Sequence, residues 1–201
     1  MQKAIRQIQE IVPRGTFLKL EAFVQLLLKW NEKMNLISKK SGDFIWQDHV
    51  LDSLQALKYI KAAAPNVLDV GSGAGFPGII LSIATGWRTV LVEKNQKKCA
   101  FLKEAKLVTG ANVLVENVSV ESAALEVSNV DIITSRGVAD IKALLKLVGR
   151  FLRRDSRVIL WKGPECKNEI EAALNNPWHF KYECYKSDVR GMIVVLTDFE
   201  V

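Results

Sequence analysis

A glycine-rich turn directly after a short apolar run constrains the fold of this chain more than any other feature. Residues Val67–Val70 have the pattern of a buried strand, and glycines follow at alternate positions, Gly71, Gly73 and Gly75. Glycine is required where the backbone takes a positive φ or lies against a ligand with no Cβ in between. A strand, a glycine turn and a helix together form the nucleotide crevice of open α/β sheets. Ordinary turn chemistry explains three alternating glycines poorly, so the pattern predicts a cofactor loop.

The spacing within the loop distinguishes between cofactors. Dinucleotide-binding loops follow G-x-G-x-x-G, which needs glycine at the position of Phe76. The next helix is expected to start near Pro77, where a bulky ring is a poor neighbour for a pyrophosphate. A ligand with an amino-acid tail and no phosphate fits better, so we predict S-adenosylmethionine. Glu93 ends the next strand about 20 residues farther on, where an acid that binds ribose is expected; the alternative is a plain, exposed strand end.

Residues 1–63 have the periodicity of helices. Residues 17–30 carry apolar side chains at helical spacing, and a second helix is expected to begin with Asp43 as its N-cap. The buried faces predicted for these helices consist of Leu20, Phe23, Val24, Leu27 and Leu28 in the first and Val50, Leu51, Leu54 and Leu57 in the second. This part of the chain predicts a small helical cap.

Residues 64–201 alternate between strands and helices. The strands are expected near 66–70, 88–93, 112–116, 130–134, 157–162, 180–186 and 192–198. Helical crossovers between strands require a parallel sheet, and two consecutive strands at the end indicate an antiparallel hairpin on one edge. The predicted fold is therefore α/β, with a Rossmann-like, mostly parallel sheet and an N-terminal helical cap.

Composition and charge narrow the class of protein. The chain has 201 residues, of which 49% are hydrophobic, but no stretch approaches the roughly 20 apolar residues of a membrane span. Three scattered cysteines and two histidines argue against disulfides and against a metal site. We therefore expect a cytoplasmic protein without metal and, since no heptad seam is visible, a monomer. The net charge is +6, and residues 1–63 contribute +4 of it, with 10 basic and 6 acidic residues. This positive charge either attracts a polyanionic partner or serves only solubility.

Several motifs in order along the chain together resemble one known family. The motifs are Asn35-Leu-Ile-Ser, His49-Val-Leu-Asp-Ser-Leu54, the glycine loop with Phe76-Pro-Gly, Ser135-Arg136 and Leu160-Trp-Lys-Gly163. The chain is similar to the bacterial 16S ribosomal RNA guanine-N7 methyltransferases, also called glucose-inhibited division protein B, from about residue 30 to 195. The resemblance implies a class I methyltransferase sheet and S-adenosylmethionine as methyl donor. It also implies methylation of N7 of guanine 527, in the 530 loop of 16S rRNA of the small ribosomal subunit.

The resemblance also assigns individual residues to the cofactor. By motif match, Gly71, Phe76, the pair Val120-Glu121 and Arg136 fall on the family's cofactor contacts. Glu121 suits the adenine amino group, or else it is an acid at a helix start. These residues join the glycine loop and Glu93 as the predicted cofactor site.

Guanine N7 has a free lone pair at neutral pH, so its methylation needs orientation rather than a general base, which fits a sequence without an obvious acid–base pair. Arg136 ends the fourth strand and is expected either to hold the cofactor's carboxylate or guanine O6, or to pair with a helix acid. We predict that Arg136→Ala lowers methyl transfer strongly while folding stays near normal. Lys162 ends the fifth strand and is expected to meet a phosphate or the target base, or to be a snorkelling lysine.

Two further sets of polar residues leave alternatives open. One side of a predicted helix carries His49, Asp52 and Ser53. This side either packs over the cofactor cleft or forms a purely structural polar cluster. The three residues do not have the geometry of a catalytic triad, which no single helix supplies. Asp69 precedes the glycines and is expected to hold loop amides or the donor's amino group.

Three other functions compete with methylation of rRNA. A nicotinamide oxidoreductase would use the same crevice, although Phe76 argues against it. The other two are a ribosome-assembly factor that keeps the methyltransferase fold as a binding platform, and a methyltransferase for a small metabolite.

Overall fold

The computed structural model describes residues 2–38, 42, 44–60, 63–122, 130–175 and 178–200. The expected N-cap Asp43 lies outside these ranges. The helices within them are α1 (Gln2–Ile11), α2 (Arg14–Asn31), α3 (π-helical Trp46–Leu51, α-helical Asp52–Leu54 and 3₁₀ Gln55–Tyr59), α4 (Gly78–Thr85), α5 (Gln96–Thr109), α6 (Ile141–Val148) and α7 (Cys166–Leu174). Short 3₁₀ turns cover Val120–Ser122 and Gly149–Phe151. None of the helices in this part of the chain combines the length and the apolar character needed to cross a bilayer.

The strands form one sheet whose order is β3-β2-β1-β4-β5-β7-β6. They are β1 (Val67–Val70), β2 (Thr89–Val92), β3 (Val113–Glu116), β4 (Ile132–Arg136), β5 (Arg157–Lys162), β6 (Lys181–Lys186) and β7 (Met192–Thr197). Strands β1 to β5 are parallel, whereas β7 pairs antiparallel with both β5 and β6. The predicted α/β fold, the seven strands and the antiparallel hairpin at the edge are confirmed.

The register of the sheet fixes where a ligand can bind. Asp69 lies between Leu91 of β2 and Thr134 of β4. All four residues of β1 are buried, as expected for a central strand covered on both faces. The chain passes from β1 to β2 on one side and later to β4 on the other. This reversal opens a crevice at the carboxyl ends of these strands.

The helical cap packs on the same face of the sheet as α4 and α5. Phe23 of α2 contacts Phe101 of α5 and Phe76 of the glycine loop, with ring centroids 5.9 and 5.6 Å apart. Leu20, Phe23, Val24 and Leu27 are buried as predicted. Leu28 is 41% exposed, so its predicted burial is wrong. Leu28 follows Leu27 by about 100° around the helix, which turns it away from the sheet.

The apolar side chains of the cap do not form a core of their own. They share one continuous cluster with residues of α4 and α5 such as Ile79, Ile80 and Phe101. In α3, Val50, Leu51 and Leu54 are buried as predicted, and Leu57 is partly buried. The division of the chain into a cap of residues 1–63 and a catalytic domain of residues 64–201 stays a prediction.

Candidate functional site

A cleft of about 460 Å³ opens at the carboxyl ends of β1, β2 and β4. Six of the residues predicted from the sequence line it: Gly71, Gly73, Glu93, Val120, Glu121 and Arg136. Elements that are far apart in the sequence therefore meet at one edge of the sheet, as the fold requires.

The glycines of the loop differ in what they make possible. Gly73 has φ +55°, and a Cβ at this position would have its nearest neighbour, the carbonyl oxygen of Gly71, at 3.7 Å. Gly75 has φ +90°, but a Cβ there would lie 2.5 Å from Cγ2 of Ile79. Gly75 thus allows the loop to pack on α4, whereas Gly73 leaves open space beside the cleft.

Glu93 is buried at the end of β2 and holds the loop together. It is 7% exposed, and its Oε2 accepts a hydrogen bond from the amide of Gly73 at 2.9 Å. Its Oε1 accepts one from the amide of Asn95, the N-cap of α5, at 2.8 Å. The alternative of an exposed strand end is therefore wrong. Because each carboxylate oxygen accepts more than one hydrogen bond, Glu93 can still bind hydroxyl groups of a ligand.

The 3₁₀ turn after β3 forms another wall of the cleft. Val120 is buried, and its carbonyl oxygen accepts a hydrogen bond from Nη2 of Arg150 at 2.7 Å. Glu121 lies at the rim with its side chain exposed. The turn therefore presents one apolar and one acidic side chain to the same edge.

Arg136 lies at the junction between the cleft and α3. Its Nη2 donates to the carbonyl oxygen of Asp48 at 2.7 Å, and its Nη1 lies 3.2 Å from Oδ2 of Asp52. The predicted alternative of an ion pair with a helix acid is thus present, but Arg136 lines the cleft as well. These two contacts use at most two of the five N–H donors of the guanidinium.

Three predicted residues do not line the cleft. Lys162 donates to the carbonyl oxygen of Ala139 and pairs with the carboxylate of Glu169, both at 2.6 Å. Phe76 packs against Phe23 in the core beneath the cap, and Gly75 lies against Ile79 of α4. The structure therefore does not place the ammonium of Lys162 or the ring of Phe76 in the cleft.

The residues His49, Asp52 and Ser53 of α3 have separate surroundings. The ring of His49 stacks on Phe76, with centroids 4.7 Å apart, and burial lowers its pKa to about 4, helped by the positive charges of Arg136 and Arg190. His49 is therefore neutral at pH 7. Ser53 Oγ donates to the carbonyl oxygen of His49, whereas Asp52 faces Arg136. Both ring nitrogens of His49 are buried without a hydrogen-bond partner among the described residues, so the three side chains form neither a triad nor one satisfied polar cluster.

Some residues of the site were not predicted from the sequence. Val138 packs against Gly71 and is 41% exposed at the cleft, and the side chain of Leu147 lines the same space. The position of Val138, two residues after the end of β4, could have predicted its place at the cleft, because ligands bind beyond the carboxyl ends of such strands. Leu147 lies on α6, where helical periodicity shows a buried face but not a neighbouring ligand site.

Asp69 lies beneath the glycine loop and not in the cleft. Its Oδ1 accepts a hydrogen bond from Thr134 Oγ1 at 2.6 Å, and the carboxyl group is 1% exposed. Complete burial raises the pKa of Asp69 to about 6, although hydrogen bonds from Thr134 and Ser72 oppose this shift. The hydrogen bond from Thr134 ties this carboxyl group to β4, and the choice between its two predicted roles stays a prediction.

Because the pKa of Asp69 is raised, the difference in unfolding free energy between wild type and Asp69→Asn should depend on pH. The folded protein holds this proton more tightly than the unfolded chain does, so ionisation between pH 4 and 6 lowers stability as the pH rises. We expect Asp69→Asn to gain about 3 kcal/mol of unfolding free energy relative to wild type over this range, at about 1.4 kcal/mol per pKa unit. Urea unfolding of both proteins at several pH values measures the difference. A difference that stays constant from pH 4 to 7 contradicts the assignment.

Comparison with known sequences identifies similar proteins. The sequence model of the family described as rRNA small subunit methyltransferase G matches residues 17–187. The chain is 38% identical to ribosomal RNA small subunit methyltransferase G of Gluconobacter oxydans, over 94% of this chain and 97% of the relative. The protein with the same name from Rickettsia akari is 36% identical, over 88% of this chain and 90% of its own length.

Solved structures with a similar fold include S-adenosylmethionine-dependent methyltransferases. A putative enzyme of this kind from Methanococcus maripaludis aligns with a TM-score of 0.58 at 15% identity, over 76% of this chain and 86% of that one. TYW2 of M. jannaschii, solved in complex with AdoMet, aligns with a TM-score of 0.56 at 18% identity, over 74% and 76%. At these identities the similarity concerns the fold.

Proposed function

Because the chain belongs to the family of rRNA small subunit methyltransferase G, we propose that it transfers a methyl group from S-adenosylmethionine to N7 of a guanine in 16S rRNA. The observation that carries this proposal is the open position at Gly73, directly beside the buried carboxylate of Glu93. A cradle without Cβ and a strand-end acid are what a nucleoside with a neutral ribose requires.

The residues of the cleft suit the parts of this cofactor. The carboxylate of Glu93 binds the ribose hydroxyls, and the exposed carboxylate of Glu121 accepts from the adenine amino group. Arg136 offers its remaining N–H donors to the cofactor's carboxylate or to guanine O6. When bound, S-adenosylmethionine supplies an electrophilic methyl group on a positively charged sulfur.

The chemistry of the protein's own residues is binding and orientation. Among the described residues, the ionisable side chains that line the cleft are Glu93, Lys94, Lys98, Glu121 and Arg136. None of them needs to remove a proton, because guanine N7 attacks with a lone pair that is already free. Holding the two reactants in line is the main contribution, and it can supply several kcal/mol, up to about 7–11 in ideal cases.

Basic side chains near the cleft suit an RNA substrate. Lys94 and Lys98 line the cleft, and Lys146 lines a neighbouring surface pocket that shares Glu121 and Leu147 with it. Such lysines contact backbone phosphates and position RNA without reading its sequence. We propose that the protein acts as a monomer on the small ribosomal subunit in the cytoplasm.

Transfer of labelled methyl to small subunits that lack the modification tests this function. We expect the label in 16S rRNA, as N7-methylguanine at one position of the 530 loop, after digestion and mass spectrometry. Binding to the subunits without transfer would instead indicate an assembly factor, and label only in small molecules would indicate a metabolite enzyme. Calorimetric titration with NAD and with S-adenosylhomocysteine separates the oxidoreductase, which would bind only the former.

A further inference from the structure

A buried carboxylate on α3 has no task in the proposed function. Asp52 is 2% exposed, although burying an ionised carboxylate carries a large desolvation penalty unless its oxygens are well partnered. Its Oδ1 accepts hydrogen bonds from Ser187 Oγ at 2.7 Å and from Gln55 Nε2 at 3.1 Å. Its Oδ2 lies 3.2 Å from Nη1 of Arg136. Both oxygens thus have partners, and only one of these partners belongs to the cleft.

The β6–β7 turn holds Asp52 in place. Ser187 Oγ also accepts from the amides of Val189 and Arg190, at 3.1 and 3.2 Å. The amide of Asp188 donates to Oε1 of Gln55 at 2.8 Å. The carboxylate is therefore fixed from two sides, by its own helix and by the hairpin, and these contacts leave its Oδ2 directed toward Arg136.

The guanidinium of Arg136 takes its position from α3. Its two described contacts are with Asp48 and Asp52, both on that helix, while its backbone belongs to β4. A long, flexible side chain at a strand end has many rotamers, and ordering it in one of them costs side-chain entropy. An ion pair with a fixed, desolvated carboxylate offsets this cost and selects one direction for the remaining N–H donors.

We propose that Asp52 is a positioning residue for methyl transfer: its carboxylate, fixed by Ser187 and Gln55, holds the guanidinium of Arg136 at the rim of the cleft. Asp52 acts through Arg136 and touches neither cofactor nor RNA. The inference rests on the proposed function, in which Arg136 contacts one of the reactants. A side chain that only clamped α3 to the hairpin would affect stability but not activity through Arg136.

A double-mutant cycle on activity tests the proposal. The variants are Asp52→Asn, Arg136→Ala and both together, and kcat and KM are measured with small subunits and S-adenosylmethionine. Asparagine keeps the shape and an acceptor for Ser187 but removes the charge that holds Arg136. We expect Asp52→Asn alone to lower kcat/KM by about 10- to 100-fold, as displacement of an aligned group does. With Arg136 already absent, we expect it to change kcat/KM by less than about threefold, because coupled residues are not additive.

Asp131→Asn is the matched control, because Asp131 precedes β4 and so lies at the opposite end of the strand from Arg136. It pairs with Arg153 at 2.9 Å and accepts from the amide of Asn66 at 2.8 Å. We expect this variant to lose stability and to keep kcat/KM within about twofold of wild type. Ser187→Ala replaces Asp52→Asn in the cycle if the latter does not fold. It should lower kcat/KM several-fold, again only when Arg136 is present.

The outcomes separate this inference from the proposed function. An active wild type with equal effects of Asp52→Asn in both backgrounds overturns the positioning role alone. A folded Asp52→Asn variant with the kcat/KM of wild type also overturns the positioning role alone. A wild type that transfers no methyl group to small subunits overturns the proposed function, and the positioning role with it.

Discussion

Replacing Arg136 by alanine should lower kcat/KM for methyl transfer by at least about 100-fold, the scale seen when one well-placed donor is removed from an active site. The change removes the N–H donors that Arg136 presents to the cleft. It also leaves the carboxylate of Asp52 buried without its cationic partner. In contrast to the near-normal folding predicted from the sequence alone, we therefore expect a loss of about 1.5–3 kcal/mol of unfolding free energy as well. Single-turnover transfer of labelled methyl and urea unfolding measure the two effects.

Arg136→Lys separates the loss of activity from the loss of stability. Lysine keeps the positive charge beside Asp52, so this variant should unfold close to wild type. Its point charge cannot reproduce the planar donor geometry of the guanidinium, so turnover should stay low. Arg136→Lys with wild-type kcat/KM would remove the guanidinium from the proposed site.

Replacing Gly73 by alanine should weaken the binding of S-adenosylhomocysteine by at least about tenfold, equivalent to about 1.4 kcal/mol. The added methyl group would stand in the open space beside the cleft, next to the residues proposed to hold the cofactor. Positive φ makes alanine unfavourable there by about 1–2 kcal/mol, so some stability is lost too. Calorimetric titration and thermal unfolding report the two quantities.

Gly86→Ala controls for the backbone strain. Gly86 has φ +77° and, like Gly73, no atom that an added Cβ would contact within 3.4 Å. It caps the C-terminus of α4, at the end of the helix remote from the glycine loop. Its alanine variant should lose similar stability and bind the ligand normally. Equal affinities of the two variants would show that Gly73 does not face the cofactor.

The sheet could be predicted from the sequence because its signals are local. Each parallel strand is a short segment that is rich in apolar residues, and helical segments separate these strands, as between Val67–Val70 and Thr89–Val92. The glycine loop and Glu93 directly follow two of these strands, so predicting the strands also predicted their position at the edge of the sheet. The resemblance of the motifs supplied the chemistry of the substrate, which these local patterns do not contain.

The side-chain partners at the site could not be predicted in the same way. Asp52 and Arg136 are 84 positions apart, and the sequence indicated an acid partner for Arg136 without showing which one. The direction of Phe76 depends on His49 and Phe23, which belong to the cap and are distant in the sequence. Lys162 has a strand-end position typical of a ligand contact, but Glu169 of α7 neutralises it. Such outcomes depend on tertiary packing, which periodicity does not show.

The helices of residues 1–63 share one apolar core with α4 and α5, so this core can be completed only after all of these segments have been synthesised. Synthesis begins at the N-terminus, so α2 leaves the ribosome before α4 and α5, which cover its apolar side chains. Until those helices emerge, Phe23 lacks the ring of Phe101, which it contacts in the folded protein. Exposed apolar surface of this kind is a target for chaperones and a risk for aggregation. The segment that supports the glycine loop is thus translated before the helices that complete its surroundings.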